Sequence, residues 1–482
     1  MNNFQRQHPL FIIHAFSKYL LLLLLPLLRS LILLQGDVWA WVRGTWFDIL
    51  VIFGIIGAGI AQWLVTLYDL REKGIAVQSG FFLRESRYIP YKNLSSIVLE
   101  EPFYLRPFRI VRLRLETDGG STRQPDASFL LRRKQAEDIV RAGSDRLKEG
   151  LGGPRKKHSY RPRTLYIAIL SLITSNTLTG VLFASTFLSQ SGKVLGEQFE
   201  RMLVQSFTKV VEILAFNVPP AAAMAAAVLL GGWGLAFLIN LLSNLRFRAE
   251  REGRLLSVQV GIFTKRAYHL AVERVNYIML RQNLVTRLCG FCSAFLNCTG
   301  YGKVKNELAV LLPAAGDAEL RRSLKMILPE FRVTKRQYRP YIRTLTRFLI
   351  PPLTTMLAIF ILFGGIWILF PDFRRTTWYI GLMAEIPAIW WLFVKIAAYF
   401  HVGIGIKGDM YTFRYTFAYA FFTVVVHRDK IARVETRQSL FQKMSDCADV
   451  VIYTFSERHY HLRIHNIHIR EVEEFLRIFG EK

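Results

Sequence analysis

The sequence predicts a polytopic α-helical membrane protein with three α+β modules: six transmembrane helices in three pairs, each pair followed by a curved sheet or small barrel with a C-terminal helix. Three observations predict it. Apolar residues make up 52% of 482 residues and mean hydropathy is +0.25, too apolar for a soluble array of this length. Six windows read as long enough for a spanning helix, which needs roughly 20 apolar residues. A unit of two such windows and a basic, β-patterned segment recurs three times.

The windows run from about Tyr19 to Leu34, Trp46 to Leu67, Leu165 to Leu188, Pro219 to Leu242, Phe348 to Phe370 and Trp378 to Phe400. The first is the shortest and carries Pro26 and Arg29. They divide the chain into a tail and first pair (1–67), module one (68–150), a linker and second pair (151–242), module two (243–330), a linker and third pair (331–400), and module three (401–482). Between the third and fourth windows, residues 195–214 carry Phe199, Leu203, Phe207, Val210 and Leu214 at helical spacing opposite charged residues. This reads as an amphipathic helix lying on the outer leaflet or packed over the bundle.

Each soluble segment opens on strand signals. In module one, Gly74 to Gln78 and Phe81 to Ile89 flank Ser79-Gly80, a hairpin turn because glycine tolerates positive φ. Val111, Leu113 and Leu115 alternate with Arg112, Arg114 and Glu116, a strand with one buried and one wet face. Lys134 to Leu147 is the closing helix. Module two follows with Leu255 to Gln259, Ile262 to Leu270, Ser293 to Cys298, Leu308 to Leu312 and a helix near Asp317 to Ile327. Module three runs from Ile404 through Tyr453 to a helix near Ile469 to Phe479.

Net charge is +27, concentrated where the chain meets the apolar windows. Residues 68–164 hold 21 Lys and Arg, whereas the three short connections together hold six. The positive-inside rule therefore puts both termini and all three modules in the cytoplasm. Anionic phospholipids are a simpler partner for these charges than nucleic acid, at about 1 kcal/mol per surface-proximal Lys or Arg. A membrane protein partner and homo-oligomerisation stay open. Four cysteines in predicted cytoplasmic parts read as reduced thiols.

Two motifs repeat. Val77-Gln78-Ser79-Gly80-Phe81-Phe82 returns as Val258-Gln259-Val260-Gly261-Ile262-Phe263. Arg281-Gln282-Asn283-Leu284 with Arg287 returns as Arg437-Gln438-Ser439-Leu440 with Lys443. On these motifs the chain resembles the bacterial PH-domain membrane proteins of the YdbS and YdbT type over nearly its whole length after the N-terminal tail. The resemblance implies pleckstrin-homology-like barrels with a C-terminal helix, in a multi-pass protein of the bacterial inner membrane. Module one departs from the second motif, with Glu100-Glu101-Pro102-Phe103 and only Arg106 retained, and module three has no glycine at the hairpin position.

Arg281, Gln282, Arg287, Arg437, Gln438 and Lys443 form the candidate lipid- or partner-binding set, because guanidinium and amide donors suit a phosphate. The competing reading is a structural turn that fixes a sheet corner. Inside the apolar windows Asn176, Glu385 and Lys395 are the polar residues that need partners. Tyr411, Phe413, Tyr415, Phe417, Tyr419 and Phe421 alternate along one ribbon face, either a module core or a surface on the bilayer. Cys289, Cys292 and Cys298 lack the second pair that a zinc site needs and read as sheet residues. His459, His461, His465 and His468 read as a solvated strand end rather than a metal tetrad.

No Gly-rich phosphate loop, His-Glu-x-x-His or Gly-x-Ser-x-Gly is present, so neither a cofactor nor catalysis is expected. The sequence thus points to a membrane-anchored binding or scaffolding protein. A lipid-handling transporter with the modules as gates is the second reading.

Overall fold

A computed structural model describes residues 4–12, 38–80, 83–117, 125–148, 157–175, 205, 209, 220–298, 310–455 and 461–480. Module one contains β1 (Gln5–Arg6), α1 (Val38–Val65), β2 (Leu67–Arg71), β3 (Gly74–Ser79), β4 (Glu85–Pro90), β5 (Leu94–Pro102), β6 (Ile110–Thr117), β7 (Ala127–Arg132) and α2 (Arg133–Lys148). Val111, Leu113 and Leu115 of β6 are buried, and Ala136, Ile139 and Val140 of α2 cover them. That helical stripe closes one end of the sheet.

Module two repeats the order: β8 (Lys157–Tyr160), α3 (Thr164–Thr174), α4 (Pro220–Asn244), β9 (Arg248–Glu252), β10 (Leu255–Val260), β11 (Thr264–Ala271), β12 (Val275–Asn283), α5 (Leu284–Leu288), β13 (Phe291–Cys298), β14 (Val310–Gly316) and α6 (Asp317–Ile327). Module three has α7 (Leu345–Leu369), α8 (Arg374–His401), β15 (Gly403–Lys407), β16 (Met410–Phe417), β17 (Ala420–His427), β18 (Ile431–Arg437), α9 (Leu440–Lys443), β19 (Cys447–Thr454), β20 (His461–His468) and α10 (Ile469–Gly480). Phe475 of α10 is fully buried among the rings of Tyr411, Phe413 and Phe479.

The helical inserts lie inside the modules. β1 pairs with β2 across α1, and β8 pairs with β9 across α3 and α4. Tyr338 bridges Ile404 across α7 and α8, and Pro340 bridges Ile467. Each module thus begins with a strand or bridge made before its apolar helices and finishes after them.

The sheets also cross module boundaries. β5 of module one pairs antiparallel with β11 of module two, giving the order β7-β6-β5-β11-β10-β9-β8. β12 of module two pairs with β17 of module three, giving β14-β13-β12-β17-β16-β15. The modules are therefore one strand-paired body and share one side of any bilayer its helices cross, since an open sheet cannot traverse hydrocarbon.

Among the described residues the fold does not contain six transmembrane helices in three pairs. Among the described residues three helical stretches are long and apolar enough to span: Ala227–Asn244, Ile342–Leu369 and Pro371–His401. Only α7 and α8 form such a pair among them. α1 contributes the shorter apolar stretch Leu50–Val65 among the described residues. α3 stops at Thr174, with Ser175 in extended backbone, so the apolar run from Leu165 to Leu188 is not one continuous helix. The first window and the amphipathic segment 195–214 lie outside the described residues, except for Gln205 and Lys209 of the latter. A run of apolar residues sets a maximum helix length and does not ensure that a helix fills it.

Candidate membrane-facing site

The hairpin tips sit at helix ends. At the β10–β11 tip, Gly261 N donates to Leu245 O at 2.8 Å, and Ile262 N to Leu242 O at 3.4 Å, at the C-terminal end of α4. Gly261 has φ +99°, and a Cβ there would come within 2.2 Å of the Thr264 carbonyl, so only glycine closes this tip. In module three Tyr419 of the β16–β17 tip lines an open groove of about 640 Å³ with Ile386, Pro387, Trp390 and Phe393 of α8. That tip therefore lies alongside a candidate spanning helix.

Large apolar side chains project from these tips and from the motif turns. Leu83, Phe263 and Phe417 are exposed at hairpins; Phe103 and Phe108, Val285 and Leu288, and Leu440, Phe441 and Met444 are exposed at the turns. The short helix α9 is inverted: Gln442 is buried, while Leu440, Phe441 and Met444 are 84%, 76% and 85% exposed. Arg347, in the first turn of α7, donates to Phe441 O and to Ser445 Oγ, which puts α9 at the foot of that helix. Exposed apolar residues flanked by arginines at helix ends have the composition that interfacial surfaces use.

The second motif combines fixed and free donors. Gln282 Nε2 donates to Phe291 O and Gln438 Nε2 to Cys447 O, each at 3.0 Å, so both glutamines pin the turn to the next strand. The basic residue that ends the motif reaches the next module. Arg106 donates to Ile262 O and to Phe263 O, and Arg287 lies 4.9 Å from the ring centroid of Phe421. Lys443, the third of the series, is exposed.

Three half-buried guanidiniums, Arg287, Arg336 and Arg414, gather at the joint between modules two and three, while the equally half-buried Arg281 lies on the opposite face of the same sheet. Arg281 lies over Phe422 at 5.9 Å and Arg287 over Phe421. Arg336 Nη1 donates to Phe400 O at 2.6 Å and Val402 O at 3.2 Å, at the end of α8, and Arg414 donates to Thr334 O. Arg281 Nε, Arg287 Nη1 and Arg414 Nη1 are buried without a hydrogen-bond partner among the described residues, and none of the four arginines pairs there with a carboxylate. Burial lowers the pKa of all four. The charge of Arg336 adds to this at Arg287 and at Arg414, which falls to about 10. Such a cluster favours an anion.

Arg437 is placed differently from Arg281. It is exposed, and its Nε donates to Glu435 Oε1 at 2.8 Å. Asn176 lies outside the described residues. Glu385 Oε2 is buried without a partner among them, and Lys395 Nζ sits 5.7 Å from the ring of Trp391. The aromatic ribbon divides: Tyr411, Phe413 and Phe421 are core, whereas Phe417 and Tyr419 are exposed at the tip.

Cys292 and Cys298 are buried, and burial pushes the Cys292 thiol up to about 12; Cys289 is exposed at the end of α5. His465 Nδ1 lies 2.9 Å from Asp449 Oδ2 and His468 packs on Tyr341, while His459 lies outside the described residues. The arginines at 336 and 414 and the outward Leu440, Phe441 and Met444 were not singled out by sequence reasoning. A buried Gln442 amid exposed apolar neighbours is the signal that marks that turn.

The bacterial PH domain family profile matches residues 11–146 and 205–324. The UPF0699 transmembrane protein YdbT of Bacillus subtilis (strain 168) is 19% identical over 317 residues, 61% of this chain and 62% of that relative, less than two thirds of its length. No solved structure matches the chain. With more than half of its residues inside the family profile and the same strand order in successive modules, this chain belongs to the bacterial PH domain family.

Proposed function

We propose that the protein is a membrane-anchored binding platform whose modules lie on the cytoplasmic face of the bacterial inner membrane and hold anionic phospholipid headgroups. The carrying observation is the set Arg287, Arg336 and Arg414, which has no carboxylate partner among the described residues and lies at the foot of α8. A phosphodiester accepts from guanidiniums in bidentate geometry, and its charge relieves their mutual repulsion. The exposed apolar tips around it support the same reading, since a lipid held at the arginines would have its acyl chains beside Tyr419 and α8. The distribution of Lys and Arg supports the cytoplasmic orientation.

The test is native mass spectrometry of the full chain, titrated in detergent with phosphatidylglycerol or phosphatidylcholine. Selective retention of phosphatidylglycerol is expected, with loss of that selectivity in Arg287→Gln/Arg414→Gln. Equal retention of both lipids by the unaltered chain, or unchanged selectivity in a folded double variant, would refute the reading.

A further inference from the structure

The two joints between modules repeat residue for residue. In the first, Thr264 faces Pro102, Arg266 faces Glu100 and Tyr268 faces Val98. In the second, Ala420 faces Asn283, Phe422 faces Arg281 and Val424 faces Met279. Superposing module one on module two by the hairpin glycines Gly80 and Gly261, and module two on module three by the Arg-Gln motif, makes these pairings equivalent with no shift in register. One position carries an attractive contact both times: Arg266 Nε lies 3.8 Å from Glu100 Oε1, and Arg281 lies over Phe422.

Each half of the joint also exists unused. β18 is the counterpart of β5 and β12, and ends a three-stranded sheet; β4 is the counterpart of β11 and β17, and ends a four-stranded sheet. No strand covers either edge among the described residues, and Glu85 to Tyr88 are exposed on β4, as are Glu435's neighbours Arg433 and Arg437 on or beside β18. Long uncovered edges of this kind are templates for pairing.

We infer that β18 of one copy receives β4 of a second copy in the same register, joining chains head to tail. In that register Arg437 faces Glu85 and Glu435 faces Arg87, so both cross-strand pairs are attractive. Within a single chain these residues satisfy each other along their own strands, Arg87 with Glu85 and Arg437 with Glu435. Lys443 takes the place that Arg106 and Arg287 occupy, beside the incoming hairpin. The occupant is a second copy because the two edges complement each other in charge and register within this one sequence. A contact between different patches closes into a ring or runs on as a filament.

The experiment uses the full chain with Cys289→Ser, in proteoliposomes. One population carries Glu85→Cys, another Arg437→Cys, and the two carry tags of different mass. Oxidation of the mixture is expected to give a disulfide-linked heterodimer, and either population alone is expected to give none, because position 85 faces 437 and not itself. Glu85→Arg or Arg437→Glu alone should weaken self-association roughly fivefold through a like-charge pair, and mixing the two reversed copies should restore it. A monomeric chain throughout, equal cross-linking within one population, or trapping at position 437 of only a different PH-module protein overturns the inference. Folding of each variant is read independently from near-UV circular dichroism.

Discussion

Arg106 of the first module donates to the carbonyl oxygen of Ile262 in the second, tying a motif turn to its neighbour's hairpin tip. The same hairpin is held from its other side by the end of α4 through Gly261 and Leu245. Joint and helix insert thus share one small corner. Replacing Arg106 by Ala removes two charge-assisted hydrogen bonds and should cost about 1.5–3 kcal/mol. Hydrogen exchange read by mass spectrometry should show faster exchange of β11 amides, with partial recovery in Arg106→Lys.

Glu100 is the more sensitive member of that joint. Its buried carboxylate lies 3.0 Å from Arg114 Nη2, 3.9 Å from Arg112 and 3.8 Å from Arg266, and Arg114 is itself buried. Glu100→Gln removes the negative charge that these cations share and is expected to destabilise by about 3–5 kcal/mol. Thermal unfolding in detergent measures this. A midpoint unchanged from that of the unaltered chain would contradict the role given to Glu100.

Asp449 should make module three sensitive to acid. Burial alone would raise its pKa, but the hydrogen bond and charge of His465, the Asn466 amide and Arg463 outweigh burial and hold it below the usual carboxylate range. Its Oδ1 also accepts from Gln442 Nε2 at 2.6 Å, which links it to the inverted helix α9. A depressed folded pKa gives stability that is complete above the ordinary Asp value of about 3.9 and is lost as pH falls through the depressed value. Unfolding midpoints should drop on acidification from pH 5 to pH 3, and Asp449→Asn should flatten that dependence.

Leu440→Ser, Phe441→Ser and Met444→Ser together should leave module three folded, because these side chains are exposed, while reducing its contact with lipid. A nitroxide at Phe417→Cys reports insertion of the neighbouring tip. Oxygen accessibility there should exceed that to a polar nickel chelate in the unaltered background. The reverse order would place the tip in water and remove this surface from the membrane.

Local chemistry was readable in the sequence and partnership was not. Gly80 and Gly261 announce their turns because positive φ is a property of one residue. The alternation of Val111, Leu113 and Leu115 announces a strand in the same way. Nothing in β5 distinguishes an edge that closes on its own module from one that takes β11, since the same alternation serves both. Arg281 and Arg287 were legible as a repeated pair, but Arg336 and Arg414 join Arg287 only because the segment around Thr334 lies beside β16, where Thr334 N donates to Thr412 Oγ1 at 3.0 Å. The span count failed for a related reason: apolar length carries no mark of where a helix such as α3 will stop.

The strand that begins each module also sets a schedule for synthesis. Tyr160 has no partner until Ala249 has left the ribosome, and by then the whole insert between them has been made. Tyr338 waits likewise for Ile404. Each sheet therefore closes only after its helical insert has been synthesised, so strand pairing cannot precede the folding of the insert it encloses.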